Sequence, residues 1–271
     1  MSNAIQPFLI GLFLPVLLAV AMTSSQWERL QVALFDSYPD LYVGNAPDTL
    51  LPARDVDGLA HNAGRDPAAM SRALSHGASM VEFDVLYADG ALRVEHSLRY
   101  PPIPRLNPGR TLAQAWRELD GRADAFIELK ANDRATIEAL GRFLEGVNQN
   151  SIYVGSRNLR VLSRLVQVHP ELKTIYLLRS SDFARFWRAE DTGFLAGVSI
   201  GPGLFNEEAV AGLKHRGWLV FAGPVNDVHR VVDLLDWDVD VVNTDDLSIL
   251  EALRRSRPPF RLGPNGNVGR T

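Results

Sequence analysis

Residues 56–85 read V-D-G-L-A-H-N-A-G-R-D-P-A-A-M-S-R-A-L-S-H-G-A-S-M-V-E-F-D-V. A short apolar run over 56–61 leads into a segment of helical period over 67–76, with Gly77 as its stop, and a second apolar run follows over 80–85. That is one strand–helix–strand unit. The alternation continues, with strands predicted over 125–130, 151–156, 174–179, 194–200, 218–223 and 238–244. Helices are predicted between and after them, over 111–119, 134–147, 158–169, 182–190, 206–216, 228–236 and 248–255, with Thr111 and Ser248 as N-caps and Gly217 as a further stop. An extra short strand over 91–96 follows the Asp89-Gly90 turn. Eight such units in about 200 residues predict an α/β fold, a (β/α)8 TIM barrel. Near-continuous apolar strands suit a parallel sheet buried on both faces. A doubly wound open sheet is the competing architecture, but no G-x-G-x-x-G stands at a strand-to-helix turn.

Outward from this core the chain changes character. The barrel is expected over 56–255, after a linker over 26–55 and before a flexible basic tail over 256–271. Pro7 to Met22 is apolar throughout and no charged side chain precedes Glu28, so residues 1–25 read as a signal peptide or a membrane anchor. Either exports or tethers the rest of the chain and makes the membrane a partner through this segment, and the acidic excess of the flank over 28–57 favours an extracytoplasmic catalytic domain, membrane-anchored or secreted. The whole 271-residue chain carries 28 basic and 32 acidic residues, a net charge of −4 that argues against a nucleic-acid partner. With no cysteine, thiolate metal sites, disulfides and cysteine nucleophiles are excluded. Any metal must sit on oxygen or imidazole.

Polar residues fall at the C-terminal ends of the expected strands, where barrels of this kind carry their chemistry. The first strand ends in His61-Asn62, the second in Glu82-Phe83-Asp84, and the third in Glu128-Leu129-Lys130; the eighth ends in Asn243-Thr244-Asp245. Alternation points Glu82 and Asp84 to one side, and Glu128 and Lys130 likewise. Three carboxylates would then converge. At ~4 Å each like-charged pair costs about 4 kcal/mol at an effective dielectric of 20. Their pKa values must rise or a divalent cation must sit among them, and oxygen ligands favour a hard ion, Mg2+ or Ca2+. His61 and His96, beside this cluster, suit a general acid and a general base. His76, His169, His215 and His229 fall in or at the ends of helices and read as surface residues.

L-A-H-N-A-G, G-A-S-M-V-E-F-D-V, D-G-A-L-R-V-E-H and F-I-E-L-K, in this order, resemble the glycerophosphodiester phosphodiesterase family, and the likeness runs over about residues 56–255. The site plan is also similar to that of the sphingomyelinase D and phospholipase D toxins. The resemblance implies a metal-dependent hydrolase of a small-molecule or lipid phosphodiester, a glycerophosphodiester or lysophospholipid. It implies Glu82, Asp84 and Glu128 as metal ligands, His61 and His96 as the acid/base pair, and Lys130 beside the substrate phosphate. The family's arginine after the first histidine is Asn62 here, which would stand at the substrate and leaves one positive charge missing unless Arg65 or Arg99 reaches in. A tryptophan usual at the end of the seventh strand is Gly223.

Two other readings compete. Gly197-Val198-Ser199-Ile200-Gly201 spells the G-x-S-x-G of serine hydrolases, but Gly201-Pro202-Gly203 follows where a helix should begin at once. The other is a catalytically inactive barrel that binds a phospholipid head group or a protein partner.

Overall fold

The computed structural model describes residues 40–44, 51–52, 54–95, 109–189 and 191–257. The N-terminal hydrophobic segment, His96, Arg99 and nearly all of the basic tail lie outside the described residues. Among those described, no helix is long and apolar enough to cross a membrane.

Eight parallel strands close into a ring: β1 (Asp57–Ala60), β2 (Met80–Ala88), β4 (Asp124–Leu129), β5 (Ile152–Ser156), β6 (Lys173–Leu178), β7 (Gly197–Ile200), β8 (Leu219–Ala222) and β9 (Val241–Thr244). Closure is made by β1, which pairs with β2 on one side and with β9 on the other. The short β3 (Ala91–Val94) folds back antiparallel on β2 beyond the ring. Its turn holds Asp89 and Gly90 at φ of 50° and 79°, the left-handed geometry that a two-residue hairpin of this hand requires. The fold is thus a (β/α)8 barrel, as the alternation of periods predicts.

The connecting helices, α5 excepted, start where side chains take up their first amide groups. They are α1 (Pro67–Ser75), α2 (Leu112–Leu119), α3 (Arg134–Glu145), α4 (Leu159–Val168), α5 (Phe183–Trp187), α6 (Glu207–His215), α7 (Val228–Asp236) and α8 (Leu247–Ser256). Thr111 caps α2 in a reciprocal arrangement with Gln114, and Gly77 and Gly217 follow the last turns of α1 and α6 at positive φ. Ser248 is not a cap. Asp246 caps α8, and its carboxylate accepts from both the Ser248 amide (2.8 Å) and the Ser248 hydroxyl (2.7 Å).

Side-chain alternation divides the apolar residues between two layers. The larger layer lies between the ring and the helices and includes Val81, Phe83, Ile127, Val154, Val198, Val220 and Val242. The smaller plugs the ring itself, with Leu59, Met80, Phe126, Tyr153, Ile175, Phe221 and Val241 in contact. This plug is the floor on which the polar ends of the strands stand. The packed unit takes in residues before the first strand. Leu41 and Leu51 are buried, and Tyr42 makes a parallel bridge to Asp246, its amide bonding to the Asp245 carbonyl at 3.1 Å.

Candidate active site

Above the plug, the inward positions on the strands or just past their ends include His61, Glu82, Asp84, Glu128, Lys130, Ser199, Gly223 and Asn243. Register brings the acids together: Asp84 on β2 stands directly beside Glu128 on β4. One carboxylate oxygen from each of Glu82, Asp84 and Glu128 lies within 4.8 Å of the others, and all three residues are buried. The convergence expected from the period-two spacing is present.

The charges around this trio are shared rather than paired off. Lys130 Nζ lies 2.8 Å from Glu128 Oε1 and 3.1 Å from Asp84 Oδ1. His61 sits between Asp245 Oδ1, 2.8 Å from its Nδ1, and Glu82 Oε2, 3.8 Å from its Nε2. Four carboxylates therefore face one ammonium and one imidazole. With all four ionised and the imidazole protonated, two negative charges remain uncompensated. Burial pushes the carboxyl of Asp84 well above its ordinary range, reinforced by Glu128 and Glu82; burial likewise raises Glu82, against the pull of His61. For His61, burial alone would lower the pKa, but Glu82 and Asp245 outweigh it and hold the imidazole at about 9. Burial would also lower the Lys130 ammonium, yet Asp84 and Glu128 raise it. A divalent cation would remove this excess charge, and a cluster made only of carboxylate oxygens fits a hard ion. Asn243 Oδ1, buried beside Glu82 and without a hydrogen-bond partner among the described residues, adds another oxygen to the same corner.

Asn62 is at the site by its backbone and its side chain alike. At φ 53° it turns the chain sharply after β1, so that its amide donates to Glu82 Oε2 (3.3 Å) and its Nδ2 stands 3.4 Å from His61 Nε2.

Beside the cluster opens a cavity of about 470 Å3, lined by His61, Glu82, Glu128, Lys130 and Asn243 on the acidic side and by residues after β5, β6 and β7 on the other. Ser199 lies on its wall within β7, and the next full helix begins only at Glu207. No strand-to-helix elbow exists there. His169 also departs from expectation: it is buried at the end of α4, where Gln149 Nε2 lies 3.2 Å from its Nδ1.

Two sets of residues at the site have no role assigned to them by the sequence. Asp245 holds His61, and Asn226 in turn holds Asp245: Asn226 Nδ2 donates to Asp245 Oδ2 (2.9 Å), and its Oδ1 accepts from the Asp245 amide (2.9 Å) and the Thr244 hydroxyl (2.8 Å). Arg157 and Arg179 line the cavity, whereas Arg65 does not. The position of Asp245 at the end of the last strand was the available signal.

Fold and site together define a (β/α)8 barrel with a buried carboxylate cluster at the C-terminal mouth of its strands. The same fold is found in a glycerophosphodiester phosphodiesterase from Agrobacterium tumefaciens, at 21% identity and a TM-score of 0.59 over 73% of this chain and 99% of that one. It recurs in a glycerophosphodiester phosphodiesterase from Thermotoga maritima, at 20% identity and a TM-score of 0.61 over 74% and 99% of the two chains. A phosphodiesterase from Oleispira antarctica, solved in complex with the product sn-glycerol-3-phosphate, aligns at 22% identity and a TM-score of 0.60 over 75% and 96%. No protein-family profile matches the sequence, and no curated protein is similar to it in sequence.

Proposed function

We propose that this chain is a metal-dependent phosphodiester hydrolase acting on glycerophosphodiesters or lysophospholipids. The observation that carries the reading is the buried trio of Glu82, Asp84 and Glu128, with oxygens within 4.8 Å of one another and two charges in excess. The fold shared with phosphodiesterases supports it. Glu82, Asp84 and Glu128 would hold a divalent cation, Mg2+ or Ca2+, which supplies charge neutralisation at the non-bridging oxygens of the phosphodiester.

The remaining steps fall to side chains. Cleavage forms a bond from phosphorus to an attacking hydroxyl or water and breaks the bond to the leaving alcohol. A proton must leave the nucleophile and another must reach the leaving oxygen. His61 takes one of these transfers. Its Nδ1 is held by Asp245, so Nε2 is the atom that exchanges a proton with substrate. His96 takes the other. Lys130 donates to the phosphate from between Asp84 and Glu128, and Asn62 donates through Nδ2 beside His61.

The experiment is hydrolysis of bis(p-nitrophenyl) phosphate by the full chain, with and without chelator, in the wild type and in His61→Ala. Turnover lost in both is the expected result. Turnover that survives chelator, or none with any phosphodiester, overturns the reading. We also propose that residues 1–25 tether or export the enzyme; carbonate-resistant sedimentation with membranes, or a processed secreted product, tests that.

A further inference from the structure

The cavity has two electrically different ends. Its acidic end, on β1, β2, β4 and β9, is brought to neutrality by a divalent ion under the reading above, on which this inference rests. The other end carries Arg157, in the loop after β5, and Arg179, in the loop after β6. In the ring, β6 stands opposite β1, so Arg179 faces His61 across the mouth, and Arg157 stands opposite the β9 end that carries Asp245. Among the described residues neither guanidinium makes a hydrogen bond or ion pair, and no acidic side chain lines that end of the cavity. A phosphodiester brings one negative charge. Two guanidinium groups are one cation more than it needs, and both stand away from the carboxylates that fix the phosphorus.

We propose that Arg157 and Arg179 select substrates in which the half of the diester reaching across the cavity bears its own acidic group, a carboxylate or a phosphate. Guanidinium forks bind such planar or tetrahedral oxyanions through paired N–H donors. A quaternary ammonium group would meet like charge at the same place. The enzyme is then a hydrolase of acidic glycerophosphodiesters, and choline esters are its poor substrates.

The test uses the full chain and four diesters that share a glycerol-3-phosphate half and carry glycerol phosphate, glycerate, glycerol or choline as the other alcohol. The wild type should show kcat/KM for the two acidic diesters about tenfold or more above the glycerol diester, one charge-assisted contact being worth at least that factor. Choline should rank last. Preference between the phosphate and the carboxylate identifies which acid is read. In the R157Q/R179Q double variant the ratio of acidic to choline diester should fall toward one, and in Arg179→Glu it should invert. Chelator-sensitive hydrolysis with no preference for acidic diesters, or a ratio unmoved by these substitutions, overturns this inference and leaves the hydrolase reading standing. Failure to cleave any diester, bis(p-nitrophenyl) phosphate included, overturns both.

Discussion

His61 and Asp245 are 184 residues apart in the chain and 2.8 Å apart in the molecule, Nδ1 to Oδ1, across the seam where β1 pairs with β9. The contact fixes which imidazole nitrogen faces the cavity. It also sets the charge on the ring, because the carboxylates of Glu82 and Asp245 overcome the effect of burial. Asp245 is itself held by Asn226, so the imidazole is oriented by a chain of hydrogen bonds with little freedom.

Asp245→Asn should therefore act through His61. We expect kcat to fall by about a hundredfold, as with other groups that orient a catalytic histidine. In chelator-treated protein, the His61 pKa followed by NMR should be lower in the variant than in the wild type, because the Asp245 carboxylate is one of the groups that raise it. A variant with reduced kcat and an unmoved imidazole pKa would assign Asp245 a purely architectural part.

Lys130→Met removes the ammonium shared by Asp84 and Glu128. Breaking a buried ion pair from one side costs about 3–5 kcal/mol. Thermal unfolding in chelator should show a large loss of stability, and Mg2+ or Ca2+ should restore part of it by binding the native state. Equal losses with and without the ion would count against a cation site at the trio.

Asp133 caps α3, its carboxylate accepting from the Thr136 amide (2.9 Å) and the Thr136 hydroxyl (2.7 Å). Burial pushes the Asp133 carboxyl up, but these bonds outweigh it and hold the pKa below the ordinary value. Since the folded-state pKa is the lower one, the contribution is complete at neutral pH and is lost as pH falls through it. Asp133→Ala should cost about 1 kcal/mol at pH 7. The difference from wild type in denaturant midpoints should close in strong acid.

Gly155 faces into the ring, where an added Cβ would lie 2.6 Å from Phe126 Cζ. Phe126 is itself packed against Phe221, with ring centroids 5.5 Å apart, and Leu177 Cδ2 stands 3.4 Å from the same added Cβ. Gly155→Ala should destabilise the fold by about 1–3 kcal/mol through overpacking of the plug. Calorimetry should register the loss while binding of the divalent ion, read by titration, stays near wild type.

Much of the site is legible in the sequence. Glu82 with Asp84, and Glu128 with Lys130, sit two residues apart on strands, and period two alone sends each pair to one face. The N-cap of α8 was not legible. Asp246 and Ser248 are both good capping residues, and the choice fell to Asp246, beside the Tyr42 bridge that docks the preceding chain there. His169 was hidden for a similar reason, since its burial comes from Gln149 and the end of α3 rather than from its own helix.

By itself the sequence determined the order of strands and helices, the parallel barrel and the acidic composition of its mouth. These follow from periodicities read within about ten residues of chain, which local geometry imposes on any fold. Ring closure decided the rest: the meeting of His61 with Asp245, the sharing of Lys130 between two acids, and the placing of Arg157 and Arg179 opposite the carboxylates. Such contacts depend on which strands become neighbours around the ring, and distance along the chain carries no measure of that.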